Sequence, residues 1–322
     1  MRKIGVVGAG AFGTALATAL ATDGRNVVLV DRDAERAAAM EESRLNPRLP
    51  GHVLPDGVRV TGEFAHLEGS EAVLLAVPTQ ALGGFLDRKG GLLPPVPLVS
   101  CAKGADRETG MLPSEIIASR VPGAEVAVLT GPGFAAEIAA GKPTALTLAA
   151  RAPGLGQELQ TLLSTRSLRL YRTDDVTGAE LGGALKNVIA IACGLAIGAG
   201  LGESARAAIM TRGFAEMRRY AAALGARPET LAGLSGLGDL ALTSTSPLSR
   251  NFSFGRALGA GDTPPEGQTV EGIATAGAIA DKAALLGIDM PITRMVAAIV
   301  TRRITVGEAA EALLARPLRE EG

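Results

Sequence analysis

Only six of the chain's 32 basic residues are lysines, so each lysine is a distinct chemical choice. Lys186 is the most informative. In Ala179-Glu180-Leu181-Gly182-Gly183-Ala184-Leu185-Lys186-Asn187-Val188, the positions three, four and seven residues before it are Gly183, Gly182 and Ala179. On a helix these form one face of minimal side chains, able to approach another surface closely. The apolar flank desolvates the amine and lowers its pKa towards the range useful for proton transfer. The plain alternative is a lysine snorkelling at a helix edge. Lys103 follows an apolar strand-like run in Ser100-Cys101-Ala102-Lys103-Gly104. At the carboxyl edge of a parallel sheet it reads either as a substrate-contacting cation or as a solvated loop residue. Lys3, Lys89, Lys142 and Lys282 read as surface residues.

Three further segments bear on chemistry. Asp239 stands alone among small and apolar residues in Leu234-Ser235-Gly236-Leu237-Gly238-Asp239-Leu240; such an acid caps the next helix or orients a catalytic cation. Ser249-Arg250-Asn251 begins a helical pattern, with Ser249 as the N-cap. A guanidinium beside the free amides of a helix N-terminus makes a phosphate site, although a capped surface helix has the same sequence. Near the N-terminus, Gly8, Gly10 and Gly13 have GxGxxG spacing between an apolar strand and an Ala-rich helix. Gly8 permits the tight turn, Gly10 lets a pyrophosphate approach the backbone, and Gly13 lets helix and strand pack closely. The next strand ends in Asp31-Arg32. The acid suits the ribose hydroxyls of NAD and the arginine suits the extra phosphate of NADP, so both cofactors stay open, with a lean to NAD or dual use.

These residues need a frame. Ile4–Val7, Asn26–Val30, Ala72–Val77, Leu98–Cys101 and Glu125–Leu129 read as strands, apolar throughout as buried parallel strands are. Phe12–Thr22, Ala34–Glu42, Gln80–Asp87 and Pro113–Arg120 read as the helices between them, and two more strands fall around Ala145–Leu148 and Leu168–Tyr171. Alternation of this kind predicts an α/β fold with an N-terminal doubly wound, parallel, Rossmann-type sheet. After Thr173 the pattern becomes helical: Val176–Ala199, Ala205–Leu224, Glu271–Leu286 and Ile292–Arg302, separated by Gly, Pro and Ser clusters at 233–249 and 259–267. The expected domains are 1–173 for the dinucleotide and 174–322, mainly α-helical, for substrate and catalysis.

Composition narrows the classes. At 322 residues the chain has room for two buried cores. A net charge of -1 offers no electrostatic footprint for nucleic acid or an anionic membrane. With 3% aromatics there is little for base or sugar stacking. Two Cys and two His disfavour a disulfide framework, a metal site or a Ser-His-Asp triad. The N-terminus lacks the layout of a signal peptide, and the Val188–Leu201 apolar run is shorter than the roughly 18 residues of a membrane span. A cytoplasmic protein without membrane insertion is expected, and the apolar helical half could supply a homodimer interface.

Taken in order and spacing, the motifs resemble the bacterial NAD(P)-dependent glycerol-3-phosphate dehydrogenases along the whole chain. The matching segments are Gly8-Ala9-Gly10-Ala11-Phe12-Gly13-Thr14-Ala15-Leu16, Ala102-Lys103-Gly104, Gly131-Pro132-Gly133-Phe134-Ala135, Leu185-Lys186-Asn187, Gly236-Leu237-Gly238-Asp239-Leu240, Ser249-Arg250-Asn251 and Val270-Glu271-Gly272. The resemblance implies reversible reduction of dihydroxyacetone phosphate to sn-glycerol 3-phosphate for phospholipid synthesis, with NADH or NADPH and no metal. It implies Lys186 as general acid/base, Lys103 in contact with substrate and cofactor, and Asp239 positioning Lys186 and substrate. Ser249, Arg250 and Asn251 would hold the substrate phosphate, with Gly131 and Gly133 nearby. Ala11, Phe12, Arg32, Ala135, Arg250, Val270 and Glu271 would line the cofactor site with the loop glycines. Four positions depart from the family: Phe12 replaces a frequent Trp, Gly133 a frequent Ser, Asp31 a small or neutral residue, and the Tyr usual before Leu49-Pro50-Gly51 is absent. Two other functions fit the residues: a dehydrogenase of the same plan acting on a 3-hydroxy or ketopantoate-like acid, and a nucleotide-sensing module without turnover.

Overall fold

The structure is a computed structural model describing residues 2–264 and 269–315. Of the Gly- and Pro-rich stretch expected at 259–267, positions 265–267 lie outside the described residues, as does the C-terminal end of the expected second domain. The chain runs β1 (Lys3–Val7), α1 (Ala11–Thr22), β2 (Asn26–Val30), α2 (Ala34–Ser43), β3 (Val58–Thr61), β4 (Ala72–Leu75), α3 (Thr79–Lys89), β5 (Leu98–Ser100), α4 (Pro113–Arg120), β6 (Val126–Thr130), α5 (Ala135–Ala139), β7 (Thr144–Ala150), α6 (Pro153–Leu163) and β8 (Leu168–Thr173). Helices follow: α7 (Val176–Gly198), α8 (Gly202–Ala223), α9 (Pro228–Ala232), α10 (Asp239–Thr245), α11 (Arg250–Ala260), α12 (Glu271–Leu285), α13 (Pro291–Val300) and α14 (Val306–Leu314).

One sheet holds all eight strands in the order β3-β2-β1-β4-β5-β6-β7-β8. The first six pair in parallel, and the order reverses between β1 and β4, where the crevice for a ligand opens. The sheet is parallel as expected except at one place: β7 runs antiparallel to β6, and β8 then runs parallel to β7. The five-residue α5 and the turn after it suffice to reverse the chain, whereas a parallel return needs a longer crossover. β3 was not foreseen because its four residues, Val-Arg-Val-Thr, are too few to show a period and Arg59 is exposed at the sheet's edge. Also unforeseen were α5, α6, α9, α10 and α14, mostly short helices.

The central element of the second half is α7. Every residue from Gly178 to Ala196 is buried. The helix is long and apolar enough to cross a membrane, yet 89% of its most apolar window is buried inside the protein. Asp175 caps its N-terminus, its Oδ1 accepting from Gly178 N at 2.8 Å. Glu180 binds it to the sheet half: Ser114 N and Oγ at the start of α4 donate to the two carboxylate oxygens at 2.8 and 2.5 Å. Burial pushes the Glu180 carboxyl up to about 7.

Against α11, α7 packs backbone to backbone. A Cβ at Gly194 or Gly198 would overlap the carbonyls of Phe252 and Arg256, and one at Gly255 or Gly259 would overlap those of Ile191 and Leu195. Four glycines, spaced four apart on each helix, therefore set this crossing. We expect Gly255→Ala to destabilise the protein by about 1–3 kcal/mol, because backbone rather than a movable side chain fills the space. A melting temperature unchanged from the parent would contradict this packing.

Candidate active site

The site forms where α7, α10, the loop after β5 and the loop after β6 converge. Gly183 lies against the β6 end and the Lys103 loop: a Cβ there would stand 2.7 Å from Thr130 Oγ1 and 3.5 Å from Lys103 Cγ. Gly182 faces the turn before α10, where a Cβ would stand 2.6 Å from Ser235 O. The small-residue face thus does what its spacing predicted, admitting two loops close to the helix one turn before Lys186.

Asp239 begins α10 and is 2% exposed. Its Oδ1 accepts from Lys186 Nζ at 3.0 Å and its Oδ2 from Lys103 Nζ at 2.6 Å. Lys186 Nζ also donates to Thr243 Oγ1 at 2.7 Å, and that hydroxyl donates to Asp239 Oδ1 at 3.1 Å. Lys103 Nζ donates in addition to Gly131 O at 2.9 Å. The snorkelling reading of Lys186 and the solvated-loop reading of Lys103 both give way to this buried cluster. Of the two readings of Asp239, the cation-orienting one matches the contacts, since α10 has no side-chain N-cap hydrogen bond. Thr243 was missed by sequence reasoning; it lies one helical turn after Asp239, and that i, i+4 spacing was the available signal.

Burial is the main cause that brings the Lys186 amine down to about 8, with the Lys103 charge adding to it and Asp239 opposing it. Burial alone would push the Asp239 carboxyl up, but Lys103 and Lys186 outweigh it and hold the group below the usual carboxylate range. Glu271, the first residue of α12, feels the same cluster: burial raises its carboxyl against the attraction of Arg250, Lys186 and Lys103. A cavity of about 190 Å³ beside Lys103 is lined by Pro78, Thr79, Val270, Glu271 and Thr275, among others.

The glycine loop lies next to this cluster. Gly8 has φ +107, and a Cβ there would sit 2.6 Å from Ala76 O; Gly13 packs on the carbonyl of Gly8. A Cβ on Gly10 would meet nothing within 4 Å, and Gly10 caps α1 without any side-chain acceptor for the first-turn amides. That open space beside amides lacking side-chain acceptors fits a pyrophosphate. Phe12 lies 6.0 Å from Lys103 Nζ by its ring centroid, linking the loop to the lysines. Ala11, Phe12 and Ala135 pack together around Ala15, Ala19, Leu49 and Ile138. Asn46, another residue missed from sequence, holds the loop from behind by donating to Ala9 O at 3.2 Å and Thr14 Oγ1 at 2.6 Å.

Other expected residues fall differently. Asp31 is buried and bound by Arg36, which leaves its oxygens fewer lone pairs for a ribose; Arg32 beside it is exposed. Ser249 caps α11 by accepting from Phe252 N at 3.2 Å. Arg250 is exposed at the start of that helix. Asn251 does not display its carboxamide to a phosphate: Nδ2 donates to Asn187 Oδ1 at 2.8 Å and Oδ1 accepts from Gly272 N at 3.0 Å, tying α7, α11 and α12 together. Gly133 faces Ile138, Thr144 and Leu146, where a Ser side chain would be crowded. Among the described residues no cluster of three or more His, Cys, Asp or Glu could hold a metal ion.

A dinucleotide-type sheet whose crevice adjoins a buried lysine–carboxylate cluster defines an NAD(P)-dependent dehydrogenase. The comparisons narrow the class. Family models described as the N-terminus and the C-terminus of NAD-dependent glycerol-3-phosphate dehydrogenase match residues 3–155 and 175–311, and the chain belongs to that family. It is 58% identical over 319 residues to an NAD(P)+ glycerol-3-phosphate dehydrogenase of Paracoccus denitrificans, covering 99% of this chain and 100% of the relative. A relative of the same name from Cereibacter sphaeroides is 56% identical over 319 residues, with the same coverage. The crystal structure of glycerol-3-phosphate dehydrogenase from Coxiella burnetii superposes with TM-score 0.93 at 36% identity, covering 98% of this chain and 99% of that one.

Asp239→Asn leaves the buried Lys186 and the part-buried Lys103 without their shared carboxylate. We expect a loss of about 3 kcal/mol, the low end for a broken buried pair because Lys186 can shed its proton. Denaturant unfolding at neutral pH measures it; unchanged stability would contradict the pairing.

Proposed function

We propose that the protein interconverts dihydroxyacetone phosphate and sn-glycerol 3-phosphate, using NADH or NADPH, with the cofactor on residues 1–173 and the substrate closed in by 174–322. The observation that carries this reading is the Lys186–Asp239–Lys103 cluster beside the glycine loop. When bound, the nicotinamide supplies or accepts the hydride. Lys186, as ammonium, donates its Nζ proton to the oxygen of the ketone as negative charge develops there, and takes a proton from the hydroxyl in the reverse direction. Asp239 and Thr243 hold that amine in place. Lys103 adds positive charge where the alkoxide forms, and the buried surroundings make the charge effective.

The substrate phosphate belongs at the N-terminus of α11. Ser249 already caps that turn through Phe252 N, so the first-turn amides of Arg250 and Asn251 and the exposed Arg250 side chain are the donors this end offers. This differs from the expectation for Asn251, whose side chain serves as a latch and whose backbone makes the contact. Among the described residues Asn187 Nδ2, buried next to this turn, meets no hydrogen-bond partner, and it suits a substrate oxygen. The phosphate anchors a molecule otherwise too small to be held firmly.

The finer features follow the same reading. The enzyme works in the cytoplasm as a homodimer and supplies glycerol 3-phosphate for phospholipid synthesis. Leu285, 88% exposed, and Leu286 beside it offer an apolar surface for the dimer contact.

With the Lys186 amine at about 8, ketone reduction falls as pH rises through that value because the acid is lost. Alcohol oxidation rises over the same range because the base is gained. Initial rates in both directions from pH 6 to 10 check this, and profiles that move in the same sense would refute the assignment. Lys186→Met is expected to cut kcat by about 10²-fold or more while NADH still binds. Arg250→Ala is expected to raise KM for dihydroxyacetone phosphate by roughly tenfold or more, the size of one lost charge-assisted hydrogen bond. Parent-like kinetics in either variant would remove that residue from its role.

A further inference from the structure

At the carboxyl end of β2 the chain carries an acid that is already neutralised. Asp31 is 2% exposed, and both of its oxygens are engaged. Oδ2 accepts from Arg36 Nε at 3.0 Å, while Oδ1 accepts from Asp33 N at 2.9 Å and from Arg36 Nη2. Nε and Nη2 of one guanidinium therefore grip the two oxygens of one carboxylate, the two-pronged geometry that a lysine cannot supply. Arg36 lies in the first turn of α2, whose N-cap is Asp33: Asp33 Oδ1 accepts from Arg36 N at 3.1 Å, and Oδ2 lies 3.4 Å from Arg36 Nη1. Arg36 thus faces Asp31 and Asp33 together, and with the exposed Arg32 and Glu35 the segment 31–36 holds two positive and three negative groups, of which Arg36 pairs with Asp31 and Asp33.

A free carboxylate at this position accepts hydrogen bonds from the ribose hydroxyls and repels a 2′-phosphate. A carboxylate whose oxygens are held by a guanidinium has its charge compensated and fewer lone pairs to offer. We propose that Arg36 is a specificity-determining residue: its pairing with Asp31 removes the repulsion a 2′-phosphate would meet, so that the enzyme accepts NADPH beside NADH, with Arg32 left to contact the phosphate. The inference rests on the cofactor reading of the glycine loop and the end of β2. Arg36 acts through Asp31 and is a positioning residue, not a catalytic one.

Two substitutions in the full-length protein test it. Arg36→Gln keeps a hydrogen-bond donor for Asp31 but removes the compensating charge; Asp31→Asn removes the acid and leaves both arginines. Dissociation constants for NADH and NADPH are measured by the fluorescence of the bound reduced nicotinamide, at low and high salt. In Arg36→Gln the NADPH:NADH ratio of dissociation constants should rise about tenfold or more, equivalent to about 1.4 kcal/mol, and the rise should shrink at high salt. In Asp31→Asn the ratio should fall. A residue that only supported the fold would weaken both cofactors together and leave the ratio unchanged, which overturns the proposal. If Arg36→Gln does not fold, Asp31→Asn decides alone, and an unchanged or higher ratio overturns it. A parent protein that binds NADH and excludes NADPH overturns the role of Arg36 while leaving the cofactor site standing. A parent that binds neither removes the cofactor reading as well.

Discussion

One buried carboxylate shared between two lysines is the constraint from which the rest of the structure follows. Asp239 holds Lys186 at 3.0 Å and Lys103 at 2.6 Å, and these three side chains come from α10, α7 and the loop after β5. Such a cluster is costly to desolvate and holds together only if each charge keeps its partners. The excess of two ammonium groups over one carboxylate keeps Asp239 ionised, while burial keeps Lys186 ready to lose its proton. An isolated buried lysine would shed its proton more readily still, and one fully paired in water would hardly shed it at all. The balance between burial and pairing gives an acid/base group near neutrality.

Glycine makes that balance geometrically possible. Gly182 and Gly183 let the turn before α10 and the β6–Lys103 region lie directly on α7, so both lysines reach one carboxylate. Gly194 and Gly198 do the same against α11, whose N-terminus carries Arg250. Asn251 then joins α7 to α11 and α12 by its two hydrogen bonds, which places Glu271 over the site. A helix without small residues at these positions would hold its neighbours about a side chain away, and the groups would not meet.

Much of this was legible in the sequence, and the parts that were not have physical reasons. Long apolar runs and the glycine loop gave the sheet and its crevice because both depend on local pattern. The small face ahead of Lys186 showed that something would pack closely there, but not that Asp239, 53 residues on, would arrive beside it. The four-residue β3 and five-residue α5 are too short for a period to show, and the antiparallel β7 depends on how the chain turns after them. Asp31 was read from its place at the end of β2. Its partner Arg36 is five residues away on the next helix, and only the three-dimensional arrangement shows that the acid is already satisfied. The tie from Asn251 to Asn187 and Gly272 was hidden for the same reason: its residue type suits a phosphate, and only the fold shows which neighbours its side chain joins.

The central claim is that burial and the shared carboxylate together set the proton affinity of Lys186. Nitrogen-15 NMR of the lysine amines tests it most directly, and with only six lysines in the chain the Lys186 signal can be assigned by substitution. Its amine should titrate near 8, well below the 10.5 of an exposed lysine, and should move lower still in Asp239→Asn, where the stabilising charge is gone. Titration at the ordinary lysine value, or a midpoint indifferent to Asp239, would contradict the account.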